Sequence, residues 1–141
     1  MKILNRQVSY RYQLLERFEA GMVLTGPEVK SVRQGHLQLG EAFVKIKNGE
    51  AWLFNAHIHP YLLSDKQKEI DPQRSRKLLL HKKELLKLKQ ATEEKGLTLV
   101  PVACYTKRHQ IKLEIAIAKG KREHEKREAI KKKDWRRELK V

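Results

Sequence analysis

The chain has 141 residues, of which 40% are hydrophobic and 35% charged, and its formal net charge is +15. That length fits one compact domain with a tail, and that charge selects polyanionic partners, nucleic acid first. It argues against a membrane protein, since no apolar run approaches the ~20 residues a bilayer crossing needs. The opening Met1-Lys2-Ile3-Leu4-Asn5-Arg6 turns polar too early for a secretory signal. One cysteine, Cys104, allows no internal disulfide, so a cytoplasmic setting is expected.

In chain order, Met22-Val23-Leu24 predicts a short strand closed by Thr25-Gly26. Pro27 suits the first position of a short helix, Glu28 its positive end and Gly35 its stop, with Val29 and Val32 facing inward. Ala42 to Lys47 and Glu50 to Ile58 flank Asn48-Gly49, a hairpin signal. A period of two places Val44 and Ile46 on one face, and Trp52, Phe54, Ala56 and Ile58 together on another. Trp52 and Phe54 are therefore expected in the core rather than on a base-stacking platform.

Pro60 to Arg76 reads as a long polar surface loop with a turn at Asp71-Pro72. Leu78-Leu79-Leu80 follows, then a helix from Lys82 to Lys95 ended by Gly96, with Leu85, Leu88 and Thr92 inside. The last pair, Leu97 to Tyr105 and Ile111 to Ala118, turns at Lys107 to Gln110. Ile111, Leu113, Ile115 and Ile117 point one way, Lys112 and Glu114 the other, and Pro101 marks a sheet edge or a bulge. Mostly antiparallel strands with short helices over residues 1–118 suggest a small closed barrel, and an oligonucleotide-binding (OB-like) barrel is one such solution.

Residues 119–141 are a different object, with eleven Lys/Arg against five Asp/Glu. Glu123 to Arg127 and Glu128 to Lys132 are helix-favouring pairs, yet the apolar stripe is thin. The tail is expected to be disordered when free and to be a latent helix that forms on RNA.

Catalytic chemistry does not stand out. Cys104 lies in an alternating strand and reads as a small core residue. His57 and His59 form a surface pair, too few ligands for a metal site. No phosphate-cradling glycine loop is present, so no cofactor, metal or small-molecule substrate is expected.

Several segments in fixed order together resemble the SmpB family of SsrA-binding proteins. They are Asn5-Arg6, Tyr12, Phe18-Glu19-Ala20-Gly21, Leu24-Thr25-Gly26, Glu28-Val29-Lys30-Ser31 and Arg33-Gln34-Gly35. Asn48-Gly49-Glu50, His57-Ile58-His59-Pro60-Tyr61, Asp71-Pro72 and Arg76-Lys77-Leu78-Leu79-Leu80-His81 continue the series. Lys95-Gly96, Val100-Pro101, Ala118-Lys119-Gly120-Lys121 and Glu125-Lys126-Arg127-Glu128 complete it over almost the whole chain.

The resemblance implies an OB-type barrel that binds the tRNA-like domain of transfer-messenger RNA (tmRNA) and accompanies it to stalled ribosomes. There the family's tail becomes helical in the empty mRNA channel beside the decoding site, and the protein makes or breaks no bond. The positions that match the family's RNA-contacting set are Asn5, Arg6, Tyr10, Tyr12, Glu19, Leu79, His81 and Lys112. Tyr12 and Leu79 are equally open to a core reading, and Glu19 is expected to accept from a base amino group or to orient a neighbouring cation. The ribosome-facing set is Gly120, Lys121, Arg122, Glu125, Lys126, Arg127, Ile130, Lys131 and Trp135. Tyr10 stands where many members carry His, and Glu125 where Asp is common. A general RNA-chaperone barrel and a nucleic-acid-processing enzyme are the competing readings.

Overall fold

The computed structural model describes residues 1–61 and 71–121. The chain runs through β1 (Lys2–Leu4), α1 (Val8–Arg11), β2 (Tyr12–Met22), α2 (Gly26–Arg33) and β3 (Leu37–Gln38). It continues through β4 (Phe43–Lys47), β5 (Glu50–Phe54), β6 (His57–Ile58), β7 (Arg76–Leu79), α3 (Lys82–Glu93), β8 (Thr98–Lys107) and β9 (Gln110–Gly120). The main sheet has the order β1-β8-β4-β5-β7-β2-β9, and an additional β8–β9 pairing closes it on itself. All its pairings are antiparallel. The result is the closed, mostly β architecture with few short helices that the sequence led us to expect. The segment of the loop at 62–70 lies outside the described residues, as do Arg122, Glu125, Lys126, Arg127, Ile130, Lys131 and Trp135 with the expected tail helix.

The alternation of β9 holds: Ile111, Leu113, Ile115 and Ile117 are all buried, while Lys112 and Glu114 lie on the opposite face. They pack with Leu53, Leu88, Leu99 and Ile58 in one core. Truncating one such leucine to alanine costs about 2–5 kcal/mol. A smaller cluster joins Val8 of α1 to Val100 of β8 and Ala118 of β9 and receives Tyr12 and Leu14. Asn48 and Gly49 both take positive φ, 53° and 74°, as a tight hairpin turn demands. Pro101 is accommodated by a register shift between Pro101 and Ala103 inside β8, a bulge rather than an edge.

Four expectations need correction. Met22 ends the long strand β2 instead of opening a short one, and Val23 is left exposed. The first substantial helix starts at Gly26, because Thr25 accepts from the Glu28 N–H while the Glu28 carboxylate accepts from Thr25 N. Helix α3 ends at Glu93, and Ala91 joins Leu88 as a buried position. Most consequentially, Glu50 to Ile58 is not one strand, since Asn55 takes φ of 61° and breaks it. The break shifts the alternation by one residue. Ala51 and Leu53 then face the core along with Ala56 and Ile58, and Trp52 and Phe54 turn outward, half-buried.

A buried ion network ties α2 to the strand after the long loop. The Glu28 and Arg76 side chains have no solvent exposure. Arg76 donates through Nε and Nη2 to Glu28 Oε2, at 3.1 and 2.6 Å, and through Nη1 to the Ala56 carbonyl at 2.7 Å. Arg74 completes the set from the half-buried side. Burial pushes the Glu28 carboxyl up, but hydrogen bonds from Arg74, the Thr25 N–H and Arg76 outweigh it and hold it below the usual range.

Candidate nucleic-acid interface

Gly21 is the pivot of a wide groove. It pairs with Lys112 on β9 and with Leu79 on β7, so residues from three distant segments meet around it. A Cβ at Gly21 would sit 3.3 Å from Leu79 Cβ, so glycine permits this close strand approach. The groove, of 590 Å³, is lined by Glu19, Leu79, His81 and Lys112 from the expected set. Met22, Leu24, Val29 and Ile111 give it an apolar floor, and Arg33 and His109 add to its rim. Leu79 is 54% exposed, so its core reading is set aside. His81 precedes α3, its backbone N–H donating to Glu84 Oε1 at 3.1 Å, and its side chain is left at the groove edge.

Glu19 has protein partners. It accepts a short hydrogen bond from the Tyr105 hydroxyl and lies 3.4 Å from Lys107 Nζ. The hydroxyl's bond, against some loss of solvent and with the charge of Lys107 and Lys112 added, holds the Glu19 carboxyl below its ordinary range. Burial and then the Glu19 charge push the Tyr105 hydroxyl up to about 12, so it stays a donor near neutral pH. Glu19 thus accepts from a tyrosine hydroxyl and lies within reach of a lysine.

Sequence reasoning placed a turn at Lys107 to Gln110 but not its position beside this groove. Arg108 and His109 take φ of 50° and 65°, where non-glycine residues are strained. The Arg33 guanidinium donates to the His109 carbonyl at 2.9 Å, fastening the tip to α2. The only sequence signal was the turn itself; its positive φ angles were not legible without an Asn or Gly. His109 and Lys112 line the groove, and Lys107 and Arg108 lie next to them in the same hairpin, cations of the kind that meet phosphates.

The remaining candidates stand elsewhere. Tyr12 opens β2 and Glu19 lies near its far end, ~23 Å away at ~3.3 Å per residue. Asn5 and Tyr12 line a small 120 Å³ cleft with Arg11, Gly40 and Phe43. Both amide hydrogens of Asn5 are committed, to the Leu39 carbonyl at 3.3 Å and the Pro101 carbonyl at 2.9 Å, so only its Oδ1 remains for a partner. Tyr12 is half-buried against Val8, Val100 and Ala118. Arg6 is exposed and Tyr10 half-buried. Strand β9 continues past 118 to Gly120, and Lys121 is anchored at this end, its N–H donating to the Arg11 carbonyl at 2.9 Å and its Nζ to the Ser9 carbonyl at 2.6 Å.

Cys104 is a buried free thiol that burial pushes up to about 12, which suits packing and not nucleophilic attack. His57 and His59 stand edge to face at 4.8 Å. Among the described residues no group of three or more His, Cys, Asp or Glu could hold a metal ion, and no helix is long and apolar enough to cross a membrane.

Comparison with known proteins places the chain in a family. A protein of Sulfurihydrogenibium sp. (strain YO3AOP1) described as "SsrA-binding protein" is 54% identical, over 96% of this chain and 88% of its own length. Proteins of the same description from Persephonella marina and Coxiella burnetii are 51% and 49% identical over 96% of this chain, covering 88% and 85% of their own lengths. A solved chain from "tmRNA-SmpB: a journey to the center of the bacterial ribosome" superposes with a TM-score of 0.70 at 41% identity, over 92% of this chain and 94% of that one. The family model described as "SmpB protein" matches residues 2–141, and the chain belongs to that family.

Proposed function

We propose that this protein is an RNA-binding adaptor that grips the tRNA-like domain of tmRNA and brings it to stalled ribosomes for rescue and peptide tagging. The observation that carries the reading is the convergence of Glu19, Leu79, His81 and Lys112 on one groove around Gly21. The groove is wide and open, with an apolar floor for unpaired bases and cations at its rim for phosphates, the combination that structured RNA with exposed bases requires. Asn5 and Tyr12 line a cleft at the other end of β2, beside the root of the tail, and with the neighbouring Arg6 and Tyr10 they would offer a second contact area.

The role is to bind and position, without catalysis. The relatives are described as SsrA-binding proteins, the Cys104 thiol is buried and inert, and the Glu19 carboxylate is engaged by Tyr105 and Lys107. A reduced buried cysteine and ribosomal partners suit the cytoplasm. Residues 119–141 then serve the ribosome, where their cations face ribosomal RNA along the mRNA channel.

Competition gel shifts at several salt concentrations test this reading. The tRNA-like domain should outcompete a duplex of matched length, and the preference should persist as salt weakens both. Equal competition at every salt concentration would favour a general RNA chaperone. Cleavage of labelled RNA on adding Mg²⁺ would favour a processing enzyme.

A further inference from the structure

The outward turn of Trp52 and Phe54 creates a surface that the groove does not use. On β5, Trp52 lies between Lys45 of β4 and Lys77 of β7 in direct cross-strand register. Phe43 and Phe54 stack beside it with ring centroids 5.4 Å apart, and Lys45 Nζ lies 5.4 Å from the Phe43 ring centre. Lys47, Trp52 and Phe54 border a shallow hollow of 390 Å³. Three lysines surround these rings against the one carboxylate of Glu50, which itself pairs with Lys77 at 3.4 Å.

Cross-strand stabilisation accounts for Phe43 and Phe54, which pair with each other. It does not account for Trp52. Its neighbours on both sides are lysines, and among the described residues no ring or ammonium is seated over its indole. A half-buried indole ringed by cations offers stacking to a base and charge to the phosphate beside it. An unpaired strand supplies both together, whereas a duplex hides its base faces.

We infer that the outer face of β4, β5 and β7 is a second RNA subsite, which takes unpaired nucleotides by stacking on Trp52 with Lys45, Lys47 and Lys77 at the phosphates. None of these side chains lines the groove around Gly21, so the inference goes beyond the proposed recognition of the tRNA-like domain. Sequence tolerance is expected, since every base presents a stacking face.

The test uses the full chain carrying Trp135→Phe, which leaves Trp52 as its one tryptophan. Titration with a single-stranded polyuridine 12-mer should quench Trp52 fluorescence, while a blunt duplex of equal length should quench it far less. Trp52→Leu, followed by fluorescence anisotropy of labelled 12-mer, should weaken binding roughly ten-fold or more. Lys45→Glu, at an exposed position that cannot disturb the core, should do the same with the indole intact. Glu19→Ala should leave the quenching unchanged even where it abolishes the preference for the tRNA-like domain, which separates the two proposals. Absence of quenching, or parental 12-mer affinity in both Trp52→Leu and Lys45→Glu, overturns the subsite.

Discussion

Replacing Arg108-His109 by Asn-Gly should make the protein more stable and a poorer RNA binder. Both residues occupy the left-handed region, at φ of 50° and 65°. Such a conformation costs an ordinary L-residue ~1–2 kcal/mol. Asparagine tolerates it better and glycine adopts it freely, although glycine gives back ~0.5–1 kcal/mol through its freedom in the unfolded chain. A net gain of ~1–2 kcal/mol remains, which for a domain of this size raises Tm by about 4–8 °C. The fold contains its own reference, since the Asn48-Gly49 hairpin holds φ of 53° and 74° with the residues that turn prefers. The Arg33 bond ends on the His109 backbone carbonyl, so the substitution leaves it available. Binding of the tRNA-like domain is measured in parallel at several salt concentrations. Loss of the Arg108 contact should lower affinity and flatten the logarithmic salt dependence by about 0.7–0.9. A variant no more stable than the parent would show that the turn is unstrained. Unchanged affinity with an unchanged salt slope would show that the tip does not reach the RNA, and the groove would then lose its outer rim.

Three further outcomes follow from the same geometry. Glu19→Ala should weaken binding of the tRNA-like domain in gel shifts although it adds positive charge, because Tyr105 and Lys107 lose the acceptor that orients them; tighter binding would mean that bulk electrostatics governs. Glu28→Gln should destabilise by ~3–5 kcal/mol in urea titrations, since it leaves the Arg76 guanidinium buried without its counter-charge. In the parent the Glu28 carboxyl is held low, so its contribution is fully present above the ordinary pKa of about 4.3 and is lost as pH falls below it, and acid should remove the difference between parent and Gln variant. Deleting residues 122–141 should leave a folded ring that still prefers the tRNA-like domain, with a smaller salt slope; loss of the preference would place recognition in the tail.

What was legible in the sequence was local. Asn48-Gly49 declared its hairpin because two adjacent residues carried the whole signal, and β9 declared its faces through the alternation of Ile111, Leu113 and Ile115 with Lys112 and Glu114. Asn55 defeated the same rule. One residue at positive φ inside an apparently continuous pattern reversed the faces on either side of it, and Trp52 passed from expected core to outer surface. The Thr25 capping box was readable from Thr-x-x-Glu spacing, but the ion pairs of Glu28 were not, because Arg74 and Arg76 lie 46 and 48 residues away. The site divides similarly. Resemblance supplied Glu19, Leu79, His81 and Lys112 as names, while only the register of β7 and β9 on either side of Gly21 shows that they share a groove.

That register also explains how one small ring could serve two large RNAs. Strand β2 links the two regions, with the groove near Glu19 and Gly21 toward one end and Tyr12 at the other. Lys121 is pinned to Arg11 and Ser9 beside Tyr12, so the last residues before the tail are directed away from the groove end. A tail rooted next to the groove would compete with bound RNA for the same cations. Rooted ~23 Å from it along β2, beside Tyr12, the tail starts away from the groove proposed for the tRNA-like domain. The β2–β9 pairing, which extends from Gly21 opposite Lys112 to Tyr12 opposite Gly120, holds the two ends apart.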